Sequence, residues 1–551
     1  MTTHSDDRGR DRSLPLQDEL LDLDRLREHA RALAAALPVG RSTRGRNRLD
    51  RHADNALAIG RAYQLLTDDA RYQRLLSPAA DWMLDNHHLV MAELRALRRD
   101  LPEGYYDELP ALSTPSELAD VRVYEMALEL VRHTDSRLDR HQFTTFLNSF
   151  QSVTPLAIGE LWAWPSMVRL ALIENLRRLA DQVVSERADR LAADAYYAGF
   201  PNDHDAPIPG WPDAWHSPFV AQLLHRIREQ GPTGARLQQA IDDRLAARDL
   251  RADEVVRDAH QQQAATQLLM ANVVTSLRLC ATIDWGPLVE SVSVVDRVLR
   301  QDPSGAYPGM DFQSRDRQRQ AVERIARPSG ESQVRVAIAA VDRARRAHAA
   351  DELRAGHVGD QLVGEGRAAI EAALDLKPSL TERARRFAGR HAAGLYLVAL
   401  AAATATLLAI PDAYLRQQSA GVMLRLLAAG VLLVPASEVA VALVNRLVAM
   451  LVPPDRLPRL DFSNGIPAAA RTMVVVPTLF SSAKGVAALL EQLEIAALGN
   501  PDPHIHFAIL SDFPDAPEQH RPADAALLSD ARAGIARLNS GPWSDGGRRF
   551  F

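Results

Sequence analysis

Residues 392–410 read AAGLYLVALAAATATLLAI and contain no charged side chain. After a polar break at 411–418, a second apolar run extends from about residue 420 to 444, interrupted only by Arg425 and Glu438. The hydrocarbon core of a bilayer requires roughly 20 apolar residues of helix. The two runs therefore predict a helical hairpin that crosses a membrane.

The charges around these runs favour a membrane over the alternative, a buried helical hairpin in a soluble protein. Arginines flank the hairpin on both sides, and the connection between the runs is poorer in Arg and Lys. The positive-inside rule then places both flanks in the cytoplasm. Arg425 can snorkel to an interface, whereas Glu438 is either a polar residue near a helix end or a functional carboxylate. The flanking arginines are Arg383, Arg385, Arg386, Arg390, Arg446, Arg456 and Arg459.

The composition restricts the number of domains and the classes of function that the chain can have. The chain has 551 residues, 47% of them apolar, and a formal net charge of −6. That length allows two or three domains, and the mild acidity gives no argument for nucleic-acid binding. A single cysteine, Cys280, excludes an internal disulfide and a thiolate metal site within this sequence. The polar N-terminal stretch lacks the apolar core of a signal peptide, so we expect it to begin in the cytoplasm.

Composition and the spacing of apolar residues divide the chain into four segments. Residues 1–20 have the composition of a disordered tail. Apolar residues recur at helical spacing through 21–380, which predicts a mainly α cytoplasmic region. The membrane hairpin occupies 391–452. Residues 470–551 then change in character and predict the incomplete start of an α/β domain.

This last segment has the order strand, helix, strand, helix. The continuous apolar run at 472–477 is typical of a strand covered on both faces. A helix is predicted at 484–498, a second strand at 506–510 and a further helix at about 523–538. A βαβ unit of this kind has a right-handed crossover. Another strand would begin near 546–551, so we expect the sequence to be the N-terminal piece of a longer protein, or a truncated product.

Polar residues follow both predicted strands. Thr478 ends the first strand and Asp512 ends the second, so both should lie at one edge of a parallel pair. Open α/β sheets bind ligands beyond the carboxyl ends of their strands. A Thr there can offer a hydroxyl and backbone groups to a nucleotide, and an Asp can accept hydrogen bonds from a base or ribose. The alternative is that Thr478 caps the following helix and Asp512 simply ends a strand.

Other candidate motifs favour ordinary structural roles. Asp515 and Asp512 form D-x-x-D, which could hold Mg²⁺ but is common by chance. The Asp203–Asp205 segment (DHD) resembles a metal motif, yet it lies in a Pro-rich loop that is more typical of solvated structure. The histidine pairs 87–88 and 504/506 lack further ligands. The sequence contains no P-loop, dinucleotide or HExxH motif.

In the helical region, the spacing of charged and aromatic residues indicates packing contacts rather than a functional site. Glu174 and Arg177 are most simply an i, i+3 pair. The tryptophans on predicted helices are interpreted as core residues. They are Trp82, Trp162, Trp164 and Trp285.

Six separate blocks of the sequence carry a resemblance to a known family. The first five are GYYDELP (104–110), RVYEMALELVRHTDSRLD (122–139), 153–180 around ELWAWPSMVRLALIENL, 271–312 around DWGPLVESVSVVDRVLR, and PASEVAVALVNRLV (435–448). The sixth is the C-terminal block at 457–516 (LPRLDFSNG…AILSDFPDA). In this order the blocks resemble the bacterial cyclic β-1,2-glucan synthases, and the C-terminal block resembles the family's glycosyltransferase region.

The resemblance implies a GT-A-like transferase fold in a large inner-membrane enzyme that takes glucose from UDP-glucose and extends a β-1,2-glucan. It implies nucleotide contacts for Pro477, Thr478 and Asp512, with Phe513 as a neighbour. Mg²⁺ or Mn²⁺ is expected for the full-length enzyme, but its DxD ligands and the catalytic base would lie beyond Phe551. We therefore expect this fragment alone to be inactive.

The implied partners are UDP-glucose, the β-1,2-glucan chain, the lipid bilayer and the remainder of the synthase polypeptide, and not nucleic acid. The implied location is the bacterial inner membrane, with the helical region and the transferase domain on the cytoplasmic side. A non-enzymatic alternative is a membrane-tethered helical scaffold with a vestigial α/β piece.

Overall fold

The computed structural model describes residues 14–39, 49–116, 118–201, 210, 215–230, 235–375, 380–452, 454, 456–519, 521–541 and 548–551. The predicted tail up to position 13 and the 203–205 motif lie outside these residues. The chain forms two compact units. The N-terminal unit comprises Met1–Gly305 and Arg317–Phe387, and the C-terminal unit comprises Ala306–Asp316 and Ala388–Phe551.

The N-terminal unit is built from helices, as its apolar spacing predicts. Two of them, α14 and α18, continue past the boundary of the unit. The helices are α1 (Leu23–Ala36), α2 (Leu49–Arg71), α3 (Pro78–Asp85), α4 (His87–Asp100), α5 (Glu103–Tyr106), α6 (Arg122–Arg132), α7 (Arg140–Gln151), α8 (Ile158–Ala198), α9 (Ser217–Gln230), α10 (Ala235–Ala246), α11 (Ala252–Thr282), α12 (Trp285–Val292), α13 (Val294–Leu299), α14 (Phe312–Ser329), α15 (Gln333–Ala349), α16 (Val358–Val363), α17 (Arg367–Ala373) and α18 (Leu380–Arg390).

Helix α8 lies at the centre of this unit and contacts α2, α4, α6, α9 and α11. Most residues of its first half are buried, as expected of a helix that other helices surround. Trp164 is fully buried there, with the rings of Phe143 and Phe146 at 6.4 and 6.0 Å from it. The core role predicted for Trp164 is confirmed. The other three tryptophans are partly buried against the same core.

A buried charge on α8 has more partners than the i, i+3 pair that the sequence predicts. The Glu174 carboxylate is fully shielded from solvent and accepts hydrogen bonds from Arg51, Asn55 and Arg178 at 2.7 to 3.0 Å. Arg177, the predicted i, i+3 partner, is 3.8 Å away. The predicted i, i+3 pair is present but is the longest of these contacts, and helical spacing does not reveal the buried partners from other elements.

The C-terminal unit contains the predicted hairpin as α19 (Ala392–Gln417) and α20 (Val422–Leu451), which pack against each other. Both helices are long and apolar enough to cross a membrane. Helix α19 extends beyond the apolar run at 392–410 and continues through Pro411. Beyond the proline, Asp412 and Arg416 form an i, i+4 ion pair of 2.9 Å that supports the last turn. The chain reverses afterwards, where Ser419 has a φ of 57°.

By length and composition alone, α11 and α12 could form a third, broken span, with a bend of 89° between them. The apolar residues of α11 and α12 instead pack inside the protein. Leu269, Met270 and Leu277 of α11 and Leu288 of α12 are buried in the core around α8. We therefore assign the membrane crossings of the described residues to α19 and α20.

The α/β segment follows the hairpin, with β1 (Thr472–Leu479), α21 (Ala483–Gly499), β2 (Ile505–Asp512) and α22 (Asp524–Asn539). The two strands pair in parallel, and a parallel bridge joins Phe507 to Phe550. The chain around Phe550 thus lies beside β2, where the sequence predicts a third strand to begin. The predicted fold class, a helical region followed by membrane helices and the start of an α/β unit, is confirmed.

Both α21 and α22 pack on one face of the strand pair. Leu490, Leu493 and Leu527 from the helices form a core with Phe507 and Phe550. The opposite face carries exposed apolar side chains. The sequence predicts that β1 is covered on both faces, but the described residues cover only one of them. The exposed side chains are Met473, Val475, Leu479 and Leu510.

Candidate functional site

The carboxyl ends of β1 and β2 lie side by side. Thr478 pairs with Ser511, and Leu479 pairs with Asp512. The backbone N–H of Phe480 also donates to the Asp512 carbonyl at 2.8 Å, so the pairing continues to the last residue of both strands. The structure therefore brings the two sequence-predicted positions, Thr478 and Asp512, to one edge.

Their side chains nevertheless point to different faces. Side chains alternate along a strand, and directly paired residues of neighbouring strands share a face. Thr478 and Ser511 therefore face the helices, whereas Pro477 and Asp512 face the open side. A ligand that contacts both Thr478 and Asp512 must lie over the end of the sheet rather than on one face. That is the place where open α/β sheets bind ligands.

Asp512 is exposed, and part of its carboxylate has a fixed orientation. Its Oδ1 accepts a hydrogen bond from the backbone N–H of Phe513 at 2.8 Å. The Phe513 ring lies edge to face against buried Phe480, with 6.1 Å between the ring centroids. This aromatic contact anchors the residue that follows β2. The strand end can thus present a carboxylate to solvent from a firmly held backbone.

The start of α21 adds a feature that sequence reasoning missed. Ser482 caps this helix by accepting a hydrogen bond from the N–H of Gly485 at 3.2 Å, only three residues after β1 ends. The first N–H groups of a helix carry partial positive charge and favour anions. Lys484, an exposed cation, lies in the same turn. The sequence signal was available in the Ser-Ser-Ala-Lys-Gly stretch immediately after the strand.

The strand edge does not contain an assembled metal site. Among the residues that the structure describes, the group of three or more His, Cys, Asp or Glu side chains that could hold one ion does not include Asp512 or Asp515. Asp512 and Asp515 thus do not belong to a three-ligand protein site among the described residues, and no step of the reaction is assigned to a Mg²⁺ or Mn²⁺ ion at this edge.

Comparison with known proteins shows which proteins the chain is related to. No protein-family model matches the chain. A sequence of 515 residues, 91% of the chain, is 34% identical to "Cyclic beta-(1,2)-glucan synthase NdvB" of Rhizobium meliloti (strain 1021). The chain is a relative of the cyclic β-1,2-glucan synthases. It spans 18% of the length of that synthase.

The membrane hairpin of this glucan synthase relative carries few polar groups, and most of them are paired. Arg425 lies near the start of α20 and bonds Asp412 of α19 at 2.7 Å, so the two charges meet at the closed end of the hairpin. Tyr396 donates to the Asn445 side chain at 3.0 Å. Glu438 is exposed on α20. Together with the similarity to a glucan synthase, the two apolar helices identify a membrane protein.

Proposed function

We propose that the chain is part of a membrane-bound cyclic β-1,2-glucan synthase that transfers glucose from UDP-glucose to a growing β-1,2-glucan. The similarity to a named glucan synthase over 91% of the chain is the observation that carries this proposal. The parallel strand pair supports it, because polar strand ends meet at the edge where such sheets bind ligands. Transfer of the glucosyl group proceeds with inversion.

In this proposal, the strand edge forms part of the donor site. The Asp512 carboxylate accepts hydrogen bonds from the ribose or the base of UDP-glucose. Pro477 and Thr478 approach the nucleotide through the backbone at the end of β1, because the Thr478 side chain faces the helices. Phe513 fixes the position of Asp512 through its ring contact with Phe480. The remaining groups of the reaction, including a catalytic base, would come from the rest of the synthase polypeptide.

A divalent cation, Mg²⁺ or Mn²⁺, would neutralise the departing diphosphate in the whole synthase. The other proposed partners are the β-1,2-glucan chain and the lipid bilayer. The arginines on both sides of the hairpin support an inner-membrane location with both flanks in the cytoplasm. This chain would contribute part of the nucleotide site and a membrane anchor, and would not complete the transfer alone.

Calorimetric titration with UDP-glucose tests the donor site in a detergent-solubilised form of the chain that is extended by the remainder of the synthase polypeptide. Because a hydrogen bond to a charged group contributes about 1.5–3 kcal/mol, Asp512→Ala should weaken binding by roughly tenfold to a hundredfold. Thr478→Val should have a smaller effect, since its side chain faces the helices. Asp515→Ala removes an exposed carboxylate three residues away and is the matched control.

Two outcomes would count against the proposal in different ways. Unchanged affinity in Asp512→Ala would remove Asp512 from the donor site. Absence of UDP-glucose binding by the extended wild-type form, with its helical content intact, would favour the scaffold alternative.

A further inference from the structure

Two histidines and a glutamate converge where α1 meets the C-terminal end of α6. His29 Nε2 lies 3.0 Å from Glu129 Oε2, and His133 Nε2 lies 3.5 Å from the same oxygen. All three atoms are within 4.8 Å of one another. The two imidazole rings meet edge to face, with 4.4 Å between their centroids. Three potential metal ligands therefore surround one point.

A hydrogen bond at Nδ1 fixes the orientation of the His133 ring. Its Nδ1 lies 2.8 Å from the backbone carbonyl of Glu19, and since a carbonyl only accepts, Nδ1 donates. The Nε2 of the neutral ring then directs a lone pair towards the Glu129 carboxylate. Two acceptors in this arrangement repel unless a proton or a metal ion lies between them. A backbone carbonyl that holds the far ring nitrogen is also the usual support of a metal-bound histidine.

The surrounding charges leave the inner carboxylate oxygen accessible. Arg132 donates to Oε1 of Glu129, so Oε2 remains directed towards the imidazoles. The same guanidinium lies 4.0 Å from Glu125, and two carboxylates therefore share its charge. The side chains of His29, Glu129 and His133 are 26%, 15% and 12% exposed. An ion can thus enter from solvent and keep a water molecule as a fourth ligand.

We propose that His29, Glu129 and His133 bind a zinc ion that clamps α1 to the end of α6. Two imidazoles, one carboxylate and one water form a common four-coordinate zinc set. With bonds of about 2.0–2.1 Å, tetrahedral ligand atoms lie about 3.3 Å apart. The separations of 3.0 and 3.5 Å lie on either side of that value. The clamp is independent of the nucleotide site.

The purified full chain, stripped with EDTA and dialysed, should bind about one Zn²⁺ in competition with a chromophoric chelator. Loss of a hydrogen-bonding partner of a metal ligand typically weakens binding 10- to 100-fold, so His29→Ala and His133→Ala should each weaken it by at least about tenfold. His141→Ala removes an exposed histidine on α7 and should leave the affinity unchanged. This control matters because the chain has 17 histidines.

Spectroscopy on the wild-type chain tests the zinc site even if a variant fails to fold. Co²⁺ at this site should give the visible absorption of a tetrahedral complex, and Zn²⁺ should displace it. Zn²⁺ should also raise the unfolding temperature of the wild type and of His141→Ala, but not of folded His29→Ala. The proposal is overturned if the wild type binds no stoichiometric ion, if Co²⁺ is six-coordinate, or if the ligand variants retain wild-type affinity.

Discussion

At the scale of single residues, Glu174 shows how a buried charge is maintained. Burial alone would raise the pKa of this carboxyl, but hydrogen bonds and charges from Arg51, Asn55 and Arg178 outweigh burial and lower the pKa to about 2. The pKa of Glu174 in the folded state thus lies below its ordinary value of 4.5. The contribution to stability is complete above about pH 4.5 and is lost as the pH falls towards 2.

We predict that Glu174→Gln lowers the free energy of unfolding by about 3–5 kcal/mol at pH 7, because it leaves buried arginines without their carboxylate. The variant should also lose less stability than the wild type between pH 4.5 and 2. Urea unfolding followed by far-UV circular dichroism measures both effects. Asp342→Asn breaks an exposed ion pair with Arg345 and should cost less than about 1 kcal/mol. Equal losses of unfolding free energy in the two variants would contradict the proposed role of the buried network around Glu174.

At the scale of elements, the contact between α21 and α22 depends on a glycine. A Cβ at Gly534 would lie 2.1 Å from Leu490 Cδ1, and Leu490 is itself buried. Gly534→Val should therefore push α22 away from α21 and destabilise the α/β segment by about 1–3 kcal/mol. Faster amide hydrogen exchange in β1, β2 and α21 would reveal this. Gly60→Val, also inside a helix but with nothing within 4 Å, should leave exchange unchanged or slower.

Elements defined by local signals could be predicted from the sequence. The predicted helix at 484–498 and strand at 506–510 agree with α21 and β2 within one or two residues, because apolar runs and the turn between them are local features. Features that depend on distant contacts could not be predicted. Thr478 and Asp512 share an edge but not a face, which only the strand register reveals. His29 and Glu129 meet across 100 positions, so no spacing pattern connects them.

At the scale of the whole molecule, the hairpin determines on which side of the membrane its flanks lie. The chain has one cysteine, Cys280, which is fully buried. Burial raises the pKa of its thiol to about 12, so almost no reactive thiolate is present at neutral pH. The wild-type chain should therefore be inert to maleimides while folded. Cysteines introduced elsewhere can then report sidedness without removal of Cys280.

Gln418 lies exposed at the closed end of the hairpin, and Ser463 lies exposed beyond its second helix. If the arginine flanks are cytoplasmic, a membrane-impermeant maleimide added to spheroplasts should label Gln418→Cys. The same reagent should label Ser463→Cys only after the membrane is permeabilised, since that position follows the arginine-bearing flank. Labelling in the reverse pattern would place the strand edge outside the cell and overturn the proposed cytoplasmic donor site. Equal labelling of both positions in intact spheroplasts would instead show that α19 and α20 do not cross the membrane.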